Sequence, residues 1–140
     1  QVQFETMLAL PRTALTLLVL LCAISSSSSA STSLTVHTFE EETKGTNTFI
    51  KFFAPWCGHC QRLAPTWDKL ADEVAADAQL AGSAKIAKVD CTIEHDLCNS
   101  YSVRGYPTLI LLTKAGEKVP YPGGRELDAL LAFVKERVAA

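Results

Sequence analysis

The chain offers no acceptor for asparagine-linked glycosylation, because neither Asn47 nor Asn99 begins an Asn-x-Ser/Thr triplet. It has no internal repeat, and its only low-complexity run is Ser25 to Ser29. It has no basic patch. Its 13 Lys and Arg are spread among 15 Asp and Glu, for a net charge of −2, so nucleic acid is set aside as a partner. No apolar run reaches the ~20 residues that a comfortable transmembrane helix needs. At 140 residues the chain has room for one domain and not comfortably for two.

What is present begins with an N-terminal segment that reads as separate from the fold. Met7 is the only methionine, so Gln1 to Thr6 read as upstream translated sequence or a cloning remnant. Arg12, the apolar core Ala14 to Ile24, and a serine run ending at Ala30 describe a secretory signal peptide, cut after Ala30. The expectation is a removed segment at 1–30, no membrane association after cleavage, and a folded domain at 31–140. Such a signal delivers the chain to a compartment where disulfides persist. Cleavage removes Cys22 and leaves Cys57, Cys60, Cys91 and Cys98, which allow three pairings. The C-terminus, Arg137 to Ala140, lacks a Lys-Asp-Glu-Leu-type retention signal. Escape from the compartment, retention by a partner and a truncated chain all stay open.

Elements alternate along the domain. Leu34 to Thr38 reads as a first strand and Phe39 to Thr43 as a short helix stopping near Gly45. Asn47 to Phe53 reads as a buried central strand, apolar on both faces. Gln61 to Ala78 carries Leu63, Trp67, Leu70, Ala71 and Val74 at helical spacing, with Pro65 expected to kink it. Then come a strand (Lys85 to Asp90), a short helix (Glu94 to Tyr101), a second buried strand (Thr108 to Leu112) and an edge strand (Lys118 to Tyr121). A final helix carries Leu127, Leu130, Leu131, Val134 and Val138 on one face. The reading is α/β, with a mixed central sheet flanked by helices.

The chemistry centres on Cys57-Gly58-His59-Cys60, at a strand-to-helix junction. A Cys-x-x-Cys there reads as a thiol–disulfide redox site. At a helix N-terminus, unpaired N–H groups and the macrodipole favour the Cys57 thiolate, which is the nucleophile. Cys60 lies three residues on, on the same helical face, where it can break the mixed disulfide. Gly58 is expected to let the backbone turn without a Cβ clash. His59 is expected to place a titratable, potentially cationic ring beside the sulfurs, making the disulfide a better oxidant, nearer about −180 mV than about −270 mV. No metal or organic cofactor is called for, because the disulfide carries the electrons.

Phe52 to Trp67 resembles the catalytic segment of the protein disulfide isomerase family, most closely the modules of its three-module endoplasmic reticulum member. Lys88-Val89-Asp90-Cys91-Thr92 and Val103-Arg104-Gly105-Tyr106-Pro107-Thr108 agree with it. The resemblance runs from about Leu34 to about Val138 and implies a thioredoxin-like fold. It implies a cis Tyr106–Pro107 bond facing the cysteines, with Tyr106 backbone groups able to pair with an extended substrate. Trp56 would be an exposed apolar contact for clients. Arg104 matches, in this reading, an arginine able to swing toward the resolving cysteine and lower its pKa. Lys51 departs from the family, which usually has a buried Glu there. It would be a neutral proton relay, a cation stabilising a Cys60 thiolate, or a side chain snorkelling outward. Cys91 and Cys98 form a structural disulfide, a second redox couple or two buried thiols, the oxidising compartment favouring the first.

The implied function is a thiol–disulfide oxidoreductase of the endoplasmic reticulum lumen, or secreted. Its partners would be unfolded or misfolded client proteins with cysteines, and an upstream oxidant or reductant. Two other readings stand beside it: a client-binding chaperone module whose redox site is incidental, and a zinc module. Zinc would need a second close pair, which Cys91 and Cys98 do not supply.

Overall fold

The computed structural model describes residues 31–139. The signal-peptide reading, with Met7 and Cys22, lies outside the described residues. Five strands and four helices follow in order: β1 (Thr32–Ser33), α1 (Phe39–Thr43), β2 (Asn47–Phe53), α2 (Gly58–Ala76), β3 (Ala84–Asp90), α3 (His95–Ser100), β4 (Thr108–Leu112), β5 (Lys118–Pro120) and α4 (Leu127–Ala139). The strands form one sheet in the order β1-β3-β2-β4-β5. The first three run parallel, while β4 and β5 pair antiparallel to their neighbours. This is the thioredoxin fold, with a mixed five-stranded sheet flanked by helices.

Strand β2 is central because both of its faces are apolar. Side chains of a strand alternate between faces. Phe49 joins Leu63, Trp67, Leu70, Val74, Leu130 and Val134, from α2 and α4, on one side of the sheet. Ile50 and Phe52 join Leu34, Phe39, Leu97 and Ile110 on the other. Phe49 and Trp67 are fully buried, each side chain contributing about 1.5–3 kcal/mol by leaving water. The Trp67 indole N–H donates to the Ala87 carbonyl at 3.0 Å, which ties α2 to β3.

Two differences from the sequence reading matter. The first strand is Thr32–Ser33 rather than Leu34 to Thr38. Leu34 N–H still reaches the Lys88 carbonyl, but the threonines then hold the backbone in a turn. Thr38 and Phe39 N–H both donate to the Thr35 carbonyl, and Thr35 N–H donates to Thr38 Oγ1. Such local side-chain bonds compete with a ladder. The second difference is at α2, which begins at Gly58 rather than Gln61. The whole Cys-x-x-Cys therefore belongs to the helix start, and α2 runs unbroken through Pro65. Smaller differences lie at strand and helix ends: β3 begins at Ala84, α3 spans His95–Ser100, and β5 ends at Pro120.

Candidate active site

Cys57 is the N-cap of α2, with extended backbone at φ −77° and ψ 117°, and Cys60 lies in the first turn. The two sulfurs are free thiols, Cys57 9 % exposed and Cys60 3 %. They differ in protonation chemistry. The Cys60 backbone N–H, offered by the first helical turn, pulls the Cys57 pKa below the ordinary thiol value. The Cys60 thiol, the His59 N–H and the Arg62 guanidinium add to this, against partial burial. Burial pushes the Cys60 pKa up, and the neighbouring Cys57 adds to the rise, while the Ala54 backbone and the Lys51 charge oppose it. Two neighbouring thiols are thus tuned in opposite directions.

The Tyr106–Pro107 bond is cis. The Cys57 thiol donates to the Tyr106 carbonyl at 3.5 Å, so the proline loop lies against the Cys57 sulfur. Trp56 is 72 % exposed and stacks edge-on with Tyr106, the rings 6.0 Å apart at 83°.

His59 acts on the Cys57 sulfur through its backbone N–H. An Arg62 Nη2 lies 2.8 Å from His59 Nδ1. A guanidinium only donates, so Nδ1 accepts in this arrangement. The cation that favours the Cys57 thiolate is Arg62. Gly58 has no positive φ, and a Cβ there would meet nothing nearer than Arg62 Nη1 at 3.6 Å. The expected steric need for glycine is therefore absent at Gly58.

Lys51 does not snorkel. It is 3 % exposed, with Nζ 5.4 Å from the Phe53 ring centre and 5.7 Å from that of Trp67. With Cys60, Asp68 and Lys88 it lines a cavity of about 140 Å³. Lys51 and Lys88 are register partners on β2 and β3. Burial lowers the Lys51 pKa; Lys88 adds to this, while Asp68 and Cys60 act against it. Asp68 accepts from Ser31 Oγ at 2.8 Å.

Cys91 and Cys98 are joined by a disulfide. Cys91 N–H donates to the Phe53 carbonyl at 2.8 Å, which fastens this loop to the end of β2 that leads into Cys57-Gly58-His59-Cys60. Arg104 is exposed and lines neither cavity beside the cysteines. Arg125, not singled out in the sequence, lines a cavity of about 340 Å³ with His59, Arg62, Tyr106 and Pro107. Arg62 carried a signal, being one helical turn from His59. Arg125 carried none, because only the tertiary fold brings the start of α4 beside the proline loop.

Residues 30–136 match the family described as Thioredoxin. The chain is 42 % identical over 105 residues to the Drosophila melanogaster "Thioredoxin domain-containing protein 5 homolog", covering 75 % of this chain and 24 % of that protein. It is 40 % identical over 129 residues to "Protein disulfide-isomerase A3" of Gallus gallus, covering 90 % and 24 %. Among solved structures it is similar to the first thioredoxin domain of mouse "Protein disulfide-isomerase A4", with TM-score 0.68 and 28 % identity, covering 83 % of this chain and 84 % of that one. The J-Trx1 fragment of ERdj5 gives TM-score 0.69 at 33 % identity, covering 78 % and 52 %. The chain spans about a quarter or less of the length of these two curated relatives.

Proposed function

The chain belongs to the thioredoxin family, and from that premise we propose that it is a thiol–disulfide oxidoreductase of the protein disulfide isomerase type, acting on client proteins of the secretory pathway. The observation that carries this reading is the placement of two free thiols at the start of α2, Cys57 as its N-cap against the Tyr106 carbonyl and Cys60 in its first turn, where the helix start draws the Cys57 pKa down and burial pushes the Cys60 pKa up. Cys57 attacks a client disulfide as the thiolate; the Cys57–client bond forms while the client S–S bond breaks. Cys60 then loses its proton and attacks Cys57, releasing the client thiol and closing the Cys57–Cys60 disulfide. Reversal of these steps oxidises a client dithiol.

The surroundings support division of labour. Tyr106 and the cis proline offer backbone to an extended client strand, and Trp56 offers apolar surface that grips without selecting sequence. Lys51 acts on Cys60: its cation favours the thiolate that must form for release, and its burial makes it a willing proton donor or acceptor. The Cys91–Cys98 bridge is structural. Residues 31–140 form the catalytic module, and 1–30 direct it to the endoplasmic reticulum lumen.

The test is recovery of activity by a ribonuclease carrying scrambled disulfides in a glutathione buffer. The chain accelerates recovery, Cys57→Ser abolishes the gain, and Cys60→Ser accumulates the mixed disulfide. Equal recovery with and without the chain overturns the reading. Client binding that survives Cys57→Ser without any redox activity would point to a chaperone module instead.

A further inference from the structure

The 340 Å³ cavity beside the proline loop has a chemistry that disulfide exchange does not itself require. Its polar walls are Arg62, Arg125, His59 and Thr66, and no acidic side chain lines it. Among the described residues neither guanidinium forms an ion pair, although Lys85 and Lys135 do. Arg62 is held by His59 Nδ1, which fixes its direction without neutralising it. Arg125 comes from the segment just before α4 and lines the same cavity. Two guanidiniums that line one cavity, neither of them in an ion pair, are suited to a carboxylate, which they can bind through paired N–H donors.

The cavity is also in the right place. Tyr106 forms part of its wall, and the Tyr106 carbonyl is the group that touches the Cys57 thiol. A peptide with its sulfur at Cys57 and its backbone along Tyr106 therefore lies next to this cavity.

We propose that this cavity is a carboxylate-binding subsite, which makes disulfides flanked by a carboxylate the preferred substrates. The proposal rests on the oxidoreductase reading and names its substrate class. The carboxylate has two sources, an acidic side chain next to a client cysteine or the carboxylates of glutathione. The exchange itself is unchanged. The Cys57 thiolate attacks the substrate disulfide, the departing substrate sulfur takes a proton from water, and the Cys60 thiolate then displaces the second sulfur. Two electrons pass from the protein dithiol to the substrate disulfide.

The experiment measures reduction of matched peptide disulfides carrying Glu, Gln or Lys beside the attacked cysteine. The chain is used in its reduced form, and each rate is divided by that with a neutral small thiol, which removes the peptide's own reactivity. At low ionic strength the expected second-order rate constant for this single turnover is about fivefold higher for Glu than for Gln, the scale of one exposed ion pair at its strongest. Lys falls below Gln, and the preference shrinks in 0.5 M salt, where screening acts within a few ångströms. Arg62→Gln with Arg125→Gln brings the Glu-to-Gln ratio to about one; because it is a ratio, any change in Cys57 reactivity cancels. Oxidised glutathione and its carboxyl ester, run in parallel, separate the sources. A preference confined to peptides assigns the subsite to client side chains, and one shared with glutathione assigns it to both. A wild-type ratio of one in every pair, or a ratio that survives the double substitution, overturns the proposal. Turnover of the Gln peptide shows in the same assay that the oxidoreductase reading still stands; turnover of no disulfide overturns both.

Discussion

Reduction of the Cys91–Cys98 bridge is expected to cost the fold a definite amount. The two cysteines are 7 positions apart, so the bridge closes a loop of eight residues counting both ends. Loss of that closure frees the unfolded chain by about 2.5 kcal/mol at 25 °C. The native state has no compensating route to water, since Cys91 is 2 % exposed and Cys98 5 %. They pack among Phe39, Phe52 and Leu97, on the face of the sheet away from α2. The assay is urea unfolding of Cys57→Ser/Cys60→Ser, oxidised and after dithiothreitol. Both forms carry the same substitutions, so their cost cancels, and thiol counting confirms two additional thiols in the reduced form. Stability in water should fall by about 2–3 kcal/mol, and the denaturant slope should rise because the unfolded chain opens further. A difference below about 0.5 kcal/mol would refute the argument that this bridge restrains the unfolded state.

Three further outcomes follow from the same geometry. Iodoacetamide at pH 7 should modify Cys57 well before Cys60 in the reduced chain, with the Cys57 rate rising through a pKa below that of an ordinary thiol; mass mapping against time checks the order. Lys51→Met should do two opposite things. It removes a cation that lowers the Cys60 pKa, so release of a mixed disulfide slows at neutral pH. It also removes a buried amine whose folded pKa lies below its unfolded one. Such a group penalises the folded state while protonated, and the penalty fades as pH rises through the folded pKa toward the unfolded value. The variant should therefore be more stable than wild type at pH 7, by a margin that vanishes above about pH 10.5; equal stability at pH 7 would count against a buried Lys51. Trp67→Phe loses the indole bond to the Ala87 carbonyl and part of the core. It should cost about 1–3 kcal/mol in chemical unfolding, with the redox site still competent.

The apolar patterning made most of this fold readable in advance. β2, β4 and the buried stripe of α2 follow from runs and spacings in which one residue type dictates one face. The start of the domain did not read correctly, because the threonines at 35 and 38 satisfy β propensity while their hydroxyls stabilise a turn. The site divides similarly. Cys57, Cys60, Trp56, Tyr106 and Pro107 come from two contiguous stretches, so local sequence announces them, and the fold brings the two stretches together. Asp68 and Lys88 reach the cavity lined by Cys60 through the packing of α2 and β3, and Arg125, just before α4, reaches the cavity beside the proline loop. No local pattern marks them. His59 was legible as a neighbour of the sulfurs but not as the acceptor of Arg62, which depends on the turn of helix that starts at Gly58.

The central claim is that Cys57 and Cys60 are a working redox couple. The most direct test is their equilibrium against graded glutathione, trapped by alkylation and read by mass. The account predicts a reversible two-electron midpoint near about −180 mV, as for protein disulfide isomerase. A midpoint near about −270 mV would make the chain a reductant of the thioredoxin kind and contradict the isomerase assignment. The absence of any reversible midpoint would contradict the enzyme reading as a whole.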